Sequence, residues 1–280
     1  MNTTLLTLSL AALFGSSLAT AATAASTDAS TSNISQEQFA AVLNDNWRVP
    51  KNAARDQYRH PQQTLTFFGV RTDQTVIEIT PGNGWYSELL APLLKDNGHY
   101  VAAIVDPSEN GEAKKSAESL RQKYAADPSH YGKVDVVAYT PQAPVFGKPG
   151  SADTVLTFRN VHNWVDAGNE AATFKAFYDV LKPGGTLGVV DHRAKPGTTA
   201  KDNENNGYLP TDYVVKLAET AGFKLAGQSE VNANPKDTKD YPDGVWTLPP
   251  ALVKGDQDKD KYLAIGESDR MTLRFVKPVK

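Results

Sequence analysis

The sequence contains no cysteine among its 280 residues. Disulfide bonds, cysteine-ligated metal sites and thiol catalysis are therefore excluded. The chain also lacks a long run of one charge sign, and its 29 basic and 32 acidic residues give a formal net charge of -3. This balance argues against a general electrostatic attraction to nucleic acid or to an anionic membrane surface. We therefore expect neither of these partners.

The N-terminal segment has no charged side chain. Leu5 to Leu18 is apolar but too short for a comfortable transmembrane helix. The alanine-rich stretch that follows, 19–25, offers small-x-small cleavage sites. We expect residues 1–25 to be a secretory signal peptide rather than a disordered tail, and residues 26–34 to be a polar linker. The protein would then be exported, most simply to the periplasm, with no stable membrane association after cleavage.

Strands and helices alternate along the rest of the chain. Short apolar runs predict seven strands, at 76–79, 100–105, 133–138, 153–158, 186–190, about 223–231 and 270–276. Helical spacing and capping residues predict helices at 35–43, 62–68, 85–94, 112–124, 169–181 and 210–220. This alternation predicts a single α/β domain over 35–280, with a Rossmann-like, doubly wound, mostly parallel sheet covered by helices on both faces.

A long connection separates the last two predicted strands. It spans residues 232–267 and contains Pro235, Pro242, Pro249 and Pro250. Structureless connections of this length are uncommon inside compact domains. We therefore expect an insertion that acts as a functional lid or as an ordered wrap.

The first predicted strand leads into a turn that is suited to ligand binding. Glu78 interrupts the apolar strand, and Thr80-Pro81-Gly82-Asn83-Gly84 follows it and opens a helix. The glycines would let the backbone approach a ligand, and the helix start would offer free N–H groups. A buried carboxylate is costly unless it is paired, so Glu78 is expected to face a cleft. A capping or salt-bridging glutamate is the alternative interpretation.

Asp106 stands at the end of the second predicted strand. In nucleotide-binding folds, an acidic residue at this position accepts hydrogen bonds from ribose hydroxyls. Asp106 also precedes Pro107, so it could simply be a turn aspartate. Beside the glycine turn, the ribose interpretation is favoured.

The order of these motifs resembles that of class I S-adenosylmethionine-dependent methyltransferases, and Leu181-Lys182-Pro183-Gly184-Gly185 before the fifth strand is typical of them. More narrowly, the chain resembles a bacterial family of exported predicted methyltransferases over about residues 40–278. The matching stretches are Arg59-His60-Pro61, Pro81-Gly82-Asn83-Gly84-Trp85-Tyr86, Phe158-Arg159-Asn160-Val161-His162-Asn163-Trp164 and Gly266-Glu267-Ser268-Asp269-Arg270-Met271.

The resemblance implies S-adenosylmethionine as cofactor and methyl transfer to a small-molecule acceptor. Glu78 would act on the cofactor's amino group, directly or through water. Gly82 and Gly84 would pass beside its carboxylate and ribose, and Asp106 would hold the ribose hydroxyls. Thr80 belongs to the same cofactor-binding turn, although it stands where the usual pattern begins with glycine. The third strand also lacks the acidic residue often found near the adenine.

The segment after the fourth strand supplies the candidate catalytic residues, Arg159, Asn160 and His162, because methyltransferases of this class place substrate-facing groups there. A histidine exchanges protons near neutral pH, so His162 could be a general base. Trp164 could form a wall for an apolar or cationic substrate. Alternatively, it fills the core.

Asp191 and His192 end the fifth strand on the same rim, and with His60 and Trp164 they complete the predicted substrate-binding set. His60, His162, Asp191 and His192 could together hold zinc, but their spacing is not a metal signature, so no metal is expected. Arg55 and Arg59 could clamp an acidic group of a substrate. Solvated helix charges are the commoner case.

Two further functions remain open at this point. The domain could be a ligand-binding protein of the cell envelope that keeps a methyltransferase fold without catalysis. It could also be a hydrolase that uses the His162, Asp191 and His192 rim. The hydrolase ranks last, because no serine lies in a nucleophile-elbow motif.

Overall fold

The computed structural model describes Met1 and residues 33–279. The predicted signal peptide, apart from Met1, and most of the predicted linker lie outside the described residues. Within the described part, no helix is long and apolar enough to cross a membrane.

Seven strands form one sheet in the order β3-β2-β1-β4-β5-β7-β6. Their bounds are β1 Thr75–Ile79, β2 His99–Val105, β3 Asp135–Tyr139, β4 Ala152–Phe158, β5 Leu181–His192, β6 Lys224–Ser229 and β7 Arg270–Val276. β7 is antiparallel to β5 and to β6, whereas the pairs among β1 to β5 are parallel. The predicted seven-stranded, mostly parallel sheet is confirmed.

Helices connect the strands and precede the first of them. The described helices are α1 Gln36–Leu43, α2 Pro50–Ala53, α3 Asp56–Arg59, α4 Pro61–Phe68, α5 Ser87–Leu94, α6 Gly111–Ala126, α7 Pro128–Tyr131, α8 Val161–Ala167, α9 Glu170–Val180, α10 Thr211–Thr220 and α11 Lys259–Ile265. The capping box at Ser35 starts α1 as predicted. α5 begins two residues later than predicted, because Trp85 and Tyr86 belong to the turn.

Apolar side chains fill both faces of the sheet. On one face Ile77 of β1 packs in a cluster with Phe174 of α9 and Val214 of α10. On the other face the neighbouring Val76 packs in a cluster with Leu90 of α5 and Leu120 of α6. Since successive residues of a strand point to opposite faces, a sheet buried on both sides needs an almost continuous apolar run. Glu78 interrupts that run on β1.

The connection between β6 and β7 is ordered. It contains a short 3₁₀ turn, Gly244–Thr247, and the helix α11. Val245 of this turn packs against the buried Tyr208 and Ala194. The neighbouring Trp246 and, further along, Pro250 lie at the cavity described next.

Candidate active site

A cavity of about 540 Å³ lies at the carboxyl ends of β1 and β4. These two strands are neighbours at the point where the strand order reverses, which is where open α/β sheets bind ligands. The volume falls in the range typical of small-molecule sites, roughly 300–1,000 Å³. The cavity is lined by Lys51, Asn52, Arg55, Arg59, Glu78, Thr80, Pro81, Gly82, Asn83, Trp85, Tyr86, Phe158, Arg159, Asn160, His162, Asn163, His192, Trp246 and Pro250.

The turn after β1 forms one wall of this cavity. Thr80 has a φ of 50°, the left-handed conformation that glycine adopts readily and a β-branched residue adopts rarely. A hydrogen bond of 2.7 Å joins its Oγ1 to the Tyr139 hydroxyl. Thr80 therefore takes a glycine-like backbone conformation at the position where the methyltransferase pattern begins with glycine.

The two predicted glycines of this turn differ in their surroundings. Gly82, with a φ of 59°, has open space where a Cβ would stand, and it lines the cavity. A Cβ on Gly84 would lie 3.1 Å from Leu120 Cδ1 and from Ser87 Oγ. Gly84 therefore permits close packing between the turn and α6.

Glu78 is a buried carboxylate on the cavity, with 2% of the residue exposed. The Tyr100 hydroxyl donates a hydrogen bond of 2.6 Å to its Oε2. Burial raises the pKa of Glu78 to about 7, although the Tyr100 hydrogen bond and the charges of Arg59 and Lys123 oppose the rise. Among the described residues, none forms an ion pair with Glu78. The side chain therefore offers a ligand a carboxylate that lacks a cation.

A second cavity of about 240 Å³ adjoins the same turn and shares Thr80, Pro81 and Gly82 with the first. Its other lining residues are Ile104, Val105, Asn110, Glu112, Ala113, Ser116 and Ala117. Asp106 follows directly after β2, next to these residues. Its Oδ1 accepts hydrogen bonds from the Ser108 amide and hydroxyl, and these bonds lower the pKa of Asp106. Asp106 itself is not among the residues that line either cavity.

His162 and Asp191 form a hydrogen-bonded pair at the opposite wall. His162 Nδ1 lies 2.9 Å from Asp191 Oδ1, and both residues are buried. The other oxygen, Oδ2, accepts a hydrogen bond of 2.6 Å from the Val161 amide at the start of α8. Because a carboxylate only accepts hydrogen bonds, Nδ1 of His162 carries the proton. Nε2 is then the nitrogen that can accept a proton.

His192 stands beside this pair, with its ring centre 5.2 Å from that of His162. Its Nδ1 lies 2.5 Å from the Ser268 hydroxyl. Burial lowers the pKa of His192 well below its usual value, and positive charge on His162 and on nearby arginines lowers it further. His192 is therefore a neutral wall of the cavity at physiological pH.

Three of the four residues considered for zinc converge. One candidate ligand atom each from His162, Asp191 and His192 lies within 4.8 Å of the others. Both Asp191 oxygens are already engaged, however, since Oδ1 accepts from the His192 amide at 2.7 Å and Oδ2 from the Val161 amide. We therefore interpret the trio as a hydrogen-bonded network. His60, the fourth residue, lies elsewhere.

Three other predicted site residues have distinct placements. Asn160 lines the cavity and joins β1 to β4, because its Nδ2 donates to the Ile79 carbonyl at 3.0 Å and lies 3.2 Å from Thr157 Oγ1. Trp164, 6% exposed, packs against Phe177 in the core and is not a lining residue. His60 lies at a separate cavity of about 250 Å³, where its Nδ1 is 3.5 Å from Asn232 Oδ1.

A cluster of arginines lies near this cavity, and the sequence did not predict that three of them share one carboxylate. We call it the arginine cluster: Arg55, Arg59, Arg159 and Arg270, with the carboxylate of Glu267. Arg55 Nε lies 2.5 Å from Glu267 Oε1, Arg59 Nε lies 3.6 Å from Oε2, and Arg270 forms a direct ion pair with the same oxygen. Burial would raise the pKa of Glu267, but the charges of Arg270, Arg59 and Arg55 outweigh it and hold the pKa at about 2.

Arg159 is the member of the arginine cluster without a counter-ion. No hydrogen bond or ion pair joins its side chain to any other residue between 33 and 279. Burial, followed by the charge of Arg270, lowers the pKa of Arg159 to about 10. Its φ of 62° is unusual for a non-glycine residue, and its amide donates to the Val190 carbonyl at 2.7 Å. The turn after β4 therefore carries Arg159 on the cavity wall with its guanidinium unpaired.

Aromatic residues supply much of the remaining wall, and sequence reasoning did not assign them to the site. The Tyr86 and Phe158 rings stack with centres 3.5 Å apart. Arg59 Cζ lies 4.5 Å from the centre of the Trp85 ring, a cation–π contact. Trp246 comes from the long connection and meets His162 edge-on. Trp85 and Tyr86 belong to the motif that runs from Pro81 to Tyr86, whereas no sequence pattern surrounds Trp246.

Comparison with known proteins supports the fold. No protein-family model matches the chain, and no curated protein sequence matches it. Among solved structures, a SAM-dependent methyltransferase from Aquifex aeolicus is 14% identical with a TM-score of 0.55, and the match covers 80% of this chain and 93% of that one. The glycopeptide N-methyltransferase MtfA is 16% identical with a TM-score of 0.51, covering 82% and 100%.

A third similar structure is named for a different reaction. The [4+2]-cyclase SpnF is 15% identical with a TM-score of 0.56, and the match covers 85% of both chains. At such identities the likeness establishes the fold alone. The chain therefore has the fold of S-adenosylmethionine-dependent methyltransferases.

Proposed function

We propose that this protein binds S-adenosylmethionine and transfers its methyl group to a small-molecule acceptor. The observation that carries the proposal is Glu78, a buried carboxylate without a cation on a cavity at the switch point of this fold. Keeping a carboxylate in that position is costly unless a ligand supplies the positive charge. The amino group of the cofactor is such a charge.

The residues around the glycine turn fit this cofactor. Glu78 would hold the amino group, and the left-handed backbone at Thr80 and Gly82 would let the chain approach the ligand closely. The smaller cavity beside Val105 would take the nucleoside, with Asp106 at its edge to accept from the ribose hydroxyls. When bound, the cofactor supplies an electrophilic methyl group.

The chain's own residues then have two tasks on the acceptor side. The aromatic walls and the turn after β4 orient the acceptor and exclude water. Correct orientation of the two reactants contributes most of the rate enhancement in such reactions. If the acceptor's hydroxyl or amine must lose a proton, His162 Nε2 takes it. Asp191 holds the imidazole in the required tautomer and stabilises the imidazolium that forms.

Calorimetric titration with S-adenosylhomocysteine, the demethylated product, tests the cofactor site. We expect the wild-type protein to bind it and Glu78→Gln to bind it about 10- to 100-fold more weakly, the loss typical of a hydrogen bond between charged groups. Glu118→Gln, which changes an exposed residue of α6, is the matched control and should leave the affinity unchanged. Asp106→Asn should weaken binding by a smaller factor than Glu78→Gln.

Two results would contradict the proposal. One is that the wild-type protein shows no binding of S-adenosylhomocysteine at concentrations that saturate a related methyltransferase. The other is equal affinity of the wild type and of Glu78→Gln, with both variants folded by near-ultraviolet circular dichroism. The alternative of a binding protein without catalysis is tested separately, by measuring methyl transfer to a pool of small-molecule acceptors. Transfer by the wild type that is lost in His162→Gln, while the affinity for the cofactor is kept, would rule that alternative out.

We also propose that the domain is exported. The charge-free apolar segment 5–18 and the small-residue stretch 19–25 support this proposal. Fractionation of a producing bacterium, followed by mass determination of the intact protein, tests it. A periplasmic form that begins after a site within 19–25 is expected, and a full-length form in the cytoplasmic fraction would contradict it.

A further inference from the structure

The arginine cluster concentrates positive charge at the acceptor side of the cavity. Three guanidinium groups, those of Arg55, Arg59 and Arg270, share the carboxylate of Glu267, and the fourth, Arg159, forms no ion pair with it. Lys51, an exposed residue, adds a further ammonium at the rim of the lining. Buried charges of one sign are normally compensated inside a folded protein. This excess therefore indicates that a negative group completes the site.

Several guanidinium nitrogens are also without hydrogen-bond partners. Nη2 of Arg55, Nη2 and Nε of Arg59, and Nε of Arg270 are buried and donate to no described acceptor. Arg59 is only 4% exposed, so water does not readily satisfy it. Unsatisfied buried donors are rare and expensive in folded proteins. Since Arg55, Arg59 and Arg159 line the cavity, an oxyanion there would come near donors that need one.

Nearby acidic groups do not meet this need. Both oxygens of Asp191 are taken by amides and by His162. Glu78 pairs with the Tyr100 hydroxyl and carries no ion pair among the described residues. Glu267 is already shared among three arginines. Glu267 and Asp191 attract Arg159 from a distance, but no carboxylate within the described part of the chain forms an ion pair with it.

We propose that the acceptor carries an oxyanion, a carboxylate or a phosphate, which Arg159 binds together with Arg59 beside the pair of His162 and Asp191. This inference rests on the proposed function and adds the chemical class of the acceptor. The planar guanidinium suits both anions, since it can donate two parallel hydrogen bonds to either of them. The acceptor's nucleophile would then lie toward His162, and its anionic end toward Arg159.

One competing source of the same chemistry is the cofactor itself, whose methionine part also carries a carboxylate. Glu78 and the arginine cluster would then hold the two charges of one zwitterion. Binding of an inorganic anion to the protein with and without S-adenosylhomocysteine separates the two sources. An acceptor subsite stays available in the loaded protein, whereas a site for the cofactor's carboxylate is blocked.

The experiment titrates inorganic phosphate into the full mature protein by calorimetry at constant ionic strength, with acetate in parallel as the carboxylate probe. We expect phosphate, acetate or both to bind, and Arg159→Gln to weaken that binding at least about tenfold. Arg159→Lys keeps the charge but loses the planar guanidinium, so its affinity for the anion should lie between those of the wild type and Arg159→Gln. The control Arg71→Gln removes one exposed positive charge far from the cavity and should change the affinity less than about twofold.

Saturating S-adenosylhomocysteine should leave the affinity for the anion unchanged within about threefold. Competitive displacement of the anion by S-adenosylhomocysteine would overturn the inference, because the arginine cluster would then serve the cofactor. Equal anion binding by the wild type and Arg159→Gln, or no binding of either probe, would overturn it as well. If Arg159→Gln does not fold, the comparison between the wild type and Arg159→Lys decides.

Failure of this inference differs from failure of the proposed function. Binding of S-adenosylhomocysteine without binding of either anion refutes the acceptor class alone. Anion binding that depends on Arg159, in a protein that does not bind S-adenosylhomocysteine, refutes the methyltransferase and leaves an anion-binding site.

Discussion

Two buried glutamates near the cavity have opposite acidities. Glu78 and Glu267 are each 2% exposed, so burial alone would raise the pKa of both. The pKa of Glu78 is raised to about 7, because burial outweighs one hydrogen bond and two more distant charges. The pKa of Glu267 is held at about 2, because three arginines overcome the same burial. The neighbouring charged groups, and not the degree of burial, therefore decide whether each carboxyl is ionised at neutral pH.

The difference divides the cavity into two ends. The end at Glu78 lacks a paired cation, and the end at the arginine cluster has four guanidinium groups for the one carboxylate of Glu267. A ligand set with an ammonium at one end and an oxyanion at the other therefore meets both needs.

The largest effect is expected from Glu267→Gln. This change removes the carboxylate that Arg55, Arg59 and Arg270 share within the described part of the chain and leaves their charges uncompensated. Breaking a buried ion pair by removing one partner typically costs 3–5 kcal/mol. We expect the free energy of unfolding, measured in urea, to fall by about that amount.

Glu230→Gln is the matched control for that change. Glu230 pairs with Arg193 at the surface, with 69% of its side chain exposed, so the loss should stay below about 1 kcal/mol. Phosphate should restore part of the stability of Glu267→Gln, since it supplies the missing negative charge. A loss no larger than that of the control would contradict the view that this end depends on a counter-charge.

The second effect is a pH dependence at Glu78. With a folded-state pKa of about 7, the carboxyl is protonated below neutral pH and must ionise to hold an ammonium group. Affinity for S-adenosylhomocysteine should therefore rise with pH, by up to about tenfold per pH unit between 5 and 7, and level off above 7. Glu78→Gln should flatten this dependence. The measurement is calorimetry across that range on both proteins.

The sign for stability is the opposite. The carboxyl of Glu78 has a higher pKa in the folded than in the unfolded protein, so the folded state binds more protons between about pH 4.5 and 7. Without ligand, the free energy of unfolding should fall across that window because of Glu78. The difference between wild type and Glu78→Gln isolates this contribution from those of other groups. A difference that is constant with pH would contradict the raised pKa.

A third, smaller effect is expected from Tyr100→Phe. The Tyr100 hydroxyl is the described hydrogen-bond donor to Glu78, and its bond favours the ionised carboxylate. Its removal should move the midpoint of the pH-dependent binding to higher pH by about one unit. Tyr213→Phe, which removes a half-buried hydroxyl bonded to Glu170, is a control that should leave the midpoint in place. An unmoved midpoint in Tyr100→Phe would show that burial alone sets the acidity of Glu78.

The sequence predicted the parts of this arrangement that have local signals. β7 has the predicted bounds, Arg270–Val276, and the seven-stranded sheet follows from apolar runs separated by glycine and proline turns. Glu78 was predicted to face a cleft because a carboxylate in a buried strand needs a partner. Each of these predictions rests on residues that lie close together in the sequence.

The features that the sequence did not predict depend on contacts between residues that are far apart in the chain. The start of α8 was not predicted, because Asp191 at the end of β5 accepts the hydrogen bond from the first amide of that helix. The arginine cluster joins Arg55 to Glu267 across 212 positions of sequence. For Arg55 and Arg59 taken alone, solvated helix charges were the commoner case. Trp164 lies in the core rather than on the cavity, and residue type alone could not separate those placements.

The smallest effect is expected from Thr80→Gly. The change relieves a left-handed backbone at a β-branched residue, which stabilises the protein, but it also loses the bond to Tyr139 and increases the freedom of the unfolded chain. These terms oppose each other, so the free energy of unfolding should change by less than about 1 kcal/mol. Ile79→Gly, one residue earlier in a buried strand, should cost several times more. A large loss in Thr80→Gly would show that the Thr80 side chain, and not only its backbone, shapes the turn at the Glu78 end.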